Sequence, residues 1–129
     1  MQIDESAFPL VFLRPHETSA EDFSAEARLE AIFDREERFV LITPFSSVDD
    51  HDDSPAEERR KALFFKRNRD RLRRLCAGAI VIEGDRPAPI PVRLAAQTLG
   101  KAFGFDFYFV RTEADAVDRA ARLVRRSVA

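Results

Sequence analysis

One cysteine, Cys76, is the whole thiol inventory of the chain. That excludes an intramolecular disulfide and a cysteine-based zinc site, and it makes a reducing cytoplasm the simplest expected setting. Long hydrophobic runs are missing as well. The longest are of strand length, whereas a bilayer-spanning helix needs roughly 20 apolar residues, so no membrane association is expected. The opening residues, MQIDESAF, carry acids and lack both a basic and an apolar segment, so no signal peptide is expected there. An excess of one charge is missing too: 21 bases stand against 23 acids, for a net charge of −2. The molecule is no polycation, which argues against nucleic acid or anionic lipid as a general partner. Only a local concentration of base could support such binding. Histidine is scarce, with His16 and His51 alone. No HExxH pair, glycine-rich phosphate loop or G-x-S-x-G elbow is present. No catalytic residue, metal or cofactor is therefore assigned, and enzymatic activity is not expected.

Apolar bulk and regular alternation are present. The 129 residues, 45% hydrophobic and with twelve phenylalanines, suffice for one domain over residues 1–129 with a core that needs no metal or disulfide. Four short apolar runs, Phe8–Leu13, Phe39–Thr43, Ala79–Ile82 and Phe105–Val110, read as strands. The last alternates, as an edge strand does. A helical period follows each run, over Ser19–Arg35, Pro55–Cys76, Pro91–Phe103 and Glu113–Arg126. Their predicted inward stripes are Ala25, Leu29, Ile32 and Phe33; Ala62, Phe65, Leu72, Leu75 and Cys76; Val92, Ala95, Ala96, Leu99 and Phe103; and Ala114, Val117, Ala120, Ala121 and Val124. SPAE at Ser54–Glu57 is a capping box, and TEAD at Thr112–Asp115 is a weaker version of one. The expected fold is α/β: a four-stranded, mainly parallel sheet with helix crossovers in the order β-α-β-α-β-α-β-α.

The second helical segment changes sign along its length. Residues 49–58 hold six acids and no Lys or Arg, whereas residues 59–74 hold nine bases against Asp70. Acids at a helix start and bases toward its end complement the helix dipole, which explains most of the pattern. Arg60, Arg67, Arg71 and Arg74 share one ridge, and Leu63 falls within it. A ridge of arginines could track phosphates, or, with Leu63, meet an acidic protein partner.

His16 and His51 both follow strands. In a parallel sheet such loops gather at the carboxyl edge, where α/β folds bind ligands. The candidate ligand edge comprises Arg14, His16, Ser46, Ser47, His51, Glu83 and Arg86. If the two histidines met beside an aspartate, they could bind a divalent metal or run acid–base chemistry.

The stretch from Gly78 to Val124, GAIVIEG followed by PVRLAAQTLGKAFGFDFYFVRTEADAVDRAARLV, resembles the closing part of STAS-like domains, the superfamily of the anti-sigma-factor antagonists. The rest of the chain resembles it in topology. The resemblance implies a non-enzymatic regulatory or docking module, in some members switched by phosphorylation of a serine in a D-S-[ST]-G-type motif. Ser46 and Ser47 occupy a similar place within FSSVDDHDDSP, but the motif is absent. A phosphate added among those acids would be repelled.

The first helix has a second apolar stripe. Phe23, Ala27 and Ala31 lie away from the stripe that faces the sheet, which predicts self-association there, most simply as a two-fold dimer.

Overall fold

The computed structural model describes residues 2–14, 21–44 and 55–128. It is α/β. The strands are β1 (Gln2–Ala7), β2 (Leu10–Arg14), β3 (Phe39–Pro44), β4 (Cys76–Ile82) and β5 (Phe107–Val110). The helices are α1 (Glu21–Asp34), α2 (Pro55–Arg67), α3 (Arg69–Leu75), α4 (Ile90–Phe103) and α5 (Glu113–Val128). The sheet has five strands in the order β1-β2-β3-β4-β5, which corrects the expected four. β1 pairs antiparallel with β2, while the pairs β2–β3, β3–β4 and β4–β5 are parallel. The extra strand is QIDESA, whose only large apolar residue is Ile3. As an edge strand it buries Ile3 and exposes Glu5 and Ser6, so it carries too little apolar signal to be read as a strand.

Each parallel crossover advances one strand in the same direction. The helices of such crossovers return on one face of the sheet, and α5, after the last strand, closes the other. Two cores result. On the first face α1, α2 and α3 bury Leu29, Ile32, Phe33, Phe64, Leu72 and Leu75 against Val11, Phe39 and Leu41, with Phe103 of α4 packed beside them. On the second, α5 lays Ala116, Ala120 and Leu123 on Phe12, Val40, Ile42 and Ile80. The strands alternate between the faces: Phe39 and Leu41 serve the first, Val40 and Ile42 the second. β4 shifts register between Phe39 and Val40 of its partner. That shift sets Gly78 under α5, where a β-carbon would lie 3.1 Å from both Leu123 Cδ1 and Tyr108.

The expected second helix is two. Asn68 interrupts it, buried, with its side-chain Nδ2 donating to the Phe64 carbonyl at 2.9 Å. Before the break, Phe64 takes the buried position assigned to Phe65, which is half-buried beside it. Cys76 is not helical but opens β4. It is buried, its thiol donates to the Gly78 carbonyl at 3.3 Å, and burial pushes its pKa up to about 12. α5 is turned from its expected phase: Ala116 and Leu123 are inward, while Val117 is exposed. Its start follows the TEAD signal, with the Asp115 N–H donating to Thr112 Oγ1 at 3.1 Å.

Candidate functional site

Most of the candidate ligand edge falls outside the described residues. This holds for His16, Ser46, Ser47 and His51, and for the side chain of Arg14. Glu83 and Arg86 are described. Arg86 is exposed. Glu83 is an internal strut. Its carboxylate is 7% exposed and accepts from the Ala88 N–H and, at 2.7 Å, from Arg93 Nη2. Arg93 in turn donates through Nε to the Ala88 carbonyl at 3.1 Å and lies 5.0 Å over the Phe109 ring. Oε2 of the carboxylate is thus tied to both ends of the β4–α4 loop.

The topology says where a crevice would open at this edge. In open α/β sheets it lies between neighbouring strands whose following helices leave to opposite faces. Here that is β4 and β5, followed by α4 on one face and α5 on the other. The two strands stay paired to their ends there: the Glu83 N–H donates to the Val110 carbonyl at 2.7 Å, and the Gly84 N–H to that of Arg111 at 3.0 Å. Among the described residues no group of three or more His, Cys, Asp or Glu side chains is placed to hold a metal ion. No helix there is long and apolar enough to cross a membrane.

The basic ridge is matched, residue by residue, by acids across the helix layer. Arg60 pairs with Glu26 at 3.1 Å, Arg67 with Glu30 at 3.2 Å, Arg71 with Asp34 at 2.9 Å and Arg74 with Glu36 at 2.7 Å. Glu26, Glu30 and Asp34 are spaced by four and so rise along one side of α1. The partners are 34 to 38 residues away in sequence, beyond any local pattern. A phosphate backbone would have to displace four carboxylates to reach these guanidinium groups. Leu63 stands clear of the ladder and is exposed. Of the proposed self-association stripe, Ala27 and Ala31 are exposed, and the side chain of Phe23 lies outside the described residues.

Two features at the β5 side of the sheet were not read from the sequence. The first is the outer face of α4. Leu99 and Ala95, expected inside, are exposed. Ile90, Leu94 and Leu99 are 72%, 57% and 51% exposed, with Ala95, Thr98 and Ala102 between them. The inward side is occupied by Gly100, Val92, Ala96 and Phe103. At Gly100 a β-carbon would collide with the Phe105 carbonyl oxygen and press on the Phe107 ring, so the turn that ends this helix folds back over its glycine on the way to β5. The available signal was composition: IPVRLAAQTLGKAF has apolar residues all round, which a helix with one wet face does not need. The second is a cavity of about 240 Å³ between β5 and α5, lined by Tyr108, Arg119, Arg122, Leu123 and Arg125. No protein-family model, curated protein or solved structure matches the chain.

Proposed function

We propose that the chain is a non-enzymatic protein-interaction module of the STAS-like, regulatory type, working in the cytoplasm, and that it associates with a second copy of itself through α4. The observation that carries this reading is the outer face of α4, where three large aliphatic side chains stand in water. Singly exposed leucines are ordinary, but three large aliphatic side chains exposed along the outer half of one helix mark a contact surface. A second copy is the occupant that the charge pattern favours. Across a two-fold axis a surface meets itself, so it must not repel itself. The outer side of α4 carries Ile90, Leu94, Ala95, Thr98, Leu99 and Ala102, with Lys101 as its own charge and Arg69 of α3 bonded to the Ala102 carbonyl at its end. By contrast, Ala27 and Ala31 on α1 sit beside Glu26, Arg28 and Glu30. The STAS-like element of the reading rests on the sequence pattern, and the succession β4, α4, β5, α5 keeps the order of elements on which it was based.

Sedimentation velocity at micromolar concentration tests the proposal on wild type, Leu94→Glu and Ala27→Glu. The expected result is a dimeric wild type that Leu94→Glu converts to monomer and Ala27→Glu leaves intact. A monomeric wild type overturns the proposal. A dimer split by Ala27→Glu alone moves the contact to α1 and overturns the assignment to α4.

A further inference from the structure

The two edges of the sheet are defended differently. β1 presents Glu5 and Ser6 to solvent, carries a register irregularity between Asp4 and Ala7 and runs into Pro9. Charge, irregular pairing and proline are the devices that keep an edge strand from adding another. β5, FYFV, has none of them, and among the described residues it has a strand neighbour on one side only. The Asp106 carbonyl accepts from Ala79 N–H and the Val110 carbonyl from Glu83 N–H. Alternation along a parallel ladder therefore turns the backbone groups of Phe107 and Phe109 away from β4. These are an open row of donors and acceptors in extended conformation.

We propose that β5 receives an extended acidic peptide as a sixth strand, with its carboxylates bound by Arg119, Arg122 and Arg125. This deepens the interaction-module reading and rests on it, but it uses a surface separate from the α4 face. An added strand sends alternate side chains to opposite faces of the sheet. On one face they meet the cavity of about 240 Å³ formed by Tyr108, Leu123 and the three arginines. The Arg119 guanidinium lies 5.4 Å over the Tyr108 ring, and Arg122 is steadied by Asp118 at 3.0 Å. A glutamate entering there gains charge-assisted hydrogen bonds to guanidinium groups that are otherwise largely in water. On the other face they meet Phe107 and Phe109, the latter with Arg93 over its ring at 5.0 Å, and the two rings favour an aliphatic side chain. The matching ligand alternates acid and aliphatic residues. A second copy of the chain does not fit this edge. Antiparallel pairing of β5 with its own copy would set two arginine clusters against each other, with the flanking Asp106 of each copy as the one acid that the run through Tyr108 and Val110 brings to that face. A nucleic acid would use the arginines but not the strand edge.

The test is fluorescence anisotropy of a fluorescein-labelled, eight-residue peptide of alternating Glu and Val with the wild-type protein. Three comparisons accompany it: the Lys-for-Glu peptide, a Glu–Val peptide N-methylated at alternate backbone positions, and a labelled single-stranded oligonucleotide. The expected result is saturable binding of the Glu–Val peptide, weakened at least about tenfold by either peptide change and by the protein variant Arg119→Glu/Arg122→Glu. Leu94→Glu should bind the peptide as wild type does, which separates this site from the α4 contact: either can fail while the other stands. The proposal is overturned if no peptide binding is detected below about 1 mM. It is equally overturned if the N-methylated or Lys peptide binds as well as the Glu–Val peptide, or if the oligonucleotide binds more tightly.

Discussion

The two faces of the sheet are covered by opposite means. The first is filled with aromatic volume. Phe39, Phe33, Phe64, Phe65, Phe103, Phe105 and Phe107 form one unbroken chain of ring contacts, with successive centroids 5.4 to 6.4 Å apart. It runs from β3 through α1, α2 and α4 to β5. Among the described residues the second face is covered by a single helix, which meets the sheet through Ala116, Ala120 and Leu123, over the space that Gly78 leaves. Several helices meeting on one face leave gaps between them that only large side chains fill, while one helix lying on a smooth aliphatic strip comes closest when its contact residues are small. The same composition, rich in phenylalanine and alanine, is thus sorted by geometry.

Truncation on the aromatic face should have the largest effect. Phe33 is fully buried, 5.7 Å from Phe39 and 6.3 Å from Phe64, so Phe33→Ala removes the ring that joins a strand to two helices. The expected cost is about 3–5 kcal/mol in urea unfolding, as for other phenylalanine-to-alanine cavities. A loss below about 1 kcal/mol would mean that the face repacks freely and that the ring chain is not a structural unit.

The alanine face should fail in the other direction, by overpacking. Ala120 has no exposed surface, and its helix is already in close approach. Ala120→Leu is expected to cost about 1–3 kcal/mol, although leucine is nearly as good a helix former as alanine. Ala31→Leu, on the exposed side of α1, is the control and should leave urea stability unchanged. Equal melts for the two variants would erase the contrast between the faces.

What was legible in the sequence follows the same division. The β-α alternation, the parallel pairs and the start of α5 could be read because each is a local pattern of apolar period and capping. β1 could not, because QIDESA shows only Ile3 as a sign of burial. The inward side of α4 was read in part: Val92, Ala96 and Phe103 face inward as expected, but Ala95 and Leu99 do not, because a helix with apolar residues all round gives a weak phase and Gly100, which shares the inward side, contributes no hydrophobic signal. The arginine ridge was visible, but its carboxylate partners were not, since nothing local ties Arg71 to Asp34.

Cys76 joins the faces, since it opens β4 at the register shift, and it gives a third test of smaller size. Its thiol has an ordinary pKa of 9.0 and is pushed by burial to about 12. A raised thiol pKa favours the folded state while the unfolded thiol is neutral. The contribution is therefore complete below pH 9 and is lost as pH rises from 9 toward 12. At pH 10 the buried thiol should cost roughly 1 kcal/mol relative to neutral pH. Read as the difference in pH dependence between wild type and Cys76→Ala, the loss should vanish in the variant. Identical alkaline profiles would show that the thiol ionises in place and that the register shift leaves it open to water.

The smallest effect belongs to the ladder that ties α1 to α2 and α3 on the aromatic face. Its outer rungs are half in water: Arg71 and Asp34 expose 39% and 64% of their side chains. Such pairs are screened, and the entropy of two long side chains opposes them, so each is worth about 0.2–1 kcal/mol. A double-mutant cycle on Arg71→Ala and Asp34→Ala should return a coupling in that range, falling further in 1 M salt, where the screening length is about 3 Å. Arg67→Ala alone should change stability by less than about 0.5 kcal/mol. The rings beneath, not the charges above, would then carry the helix layer. A coupling above about 2 kcal/mol that survives salt would reverse that ranking. The aromatic face would then owe its three-helix arrangement to the ion pairs that align α1 with its neighbours, with phenylalanine filling whatever space those pairs define.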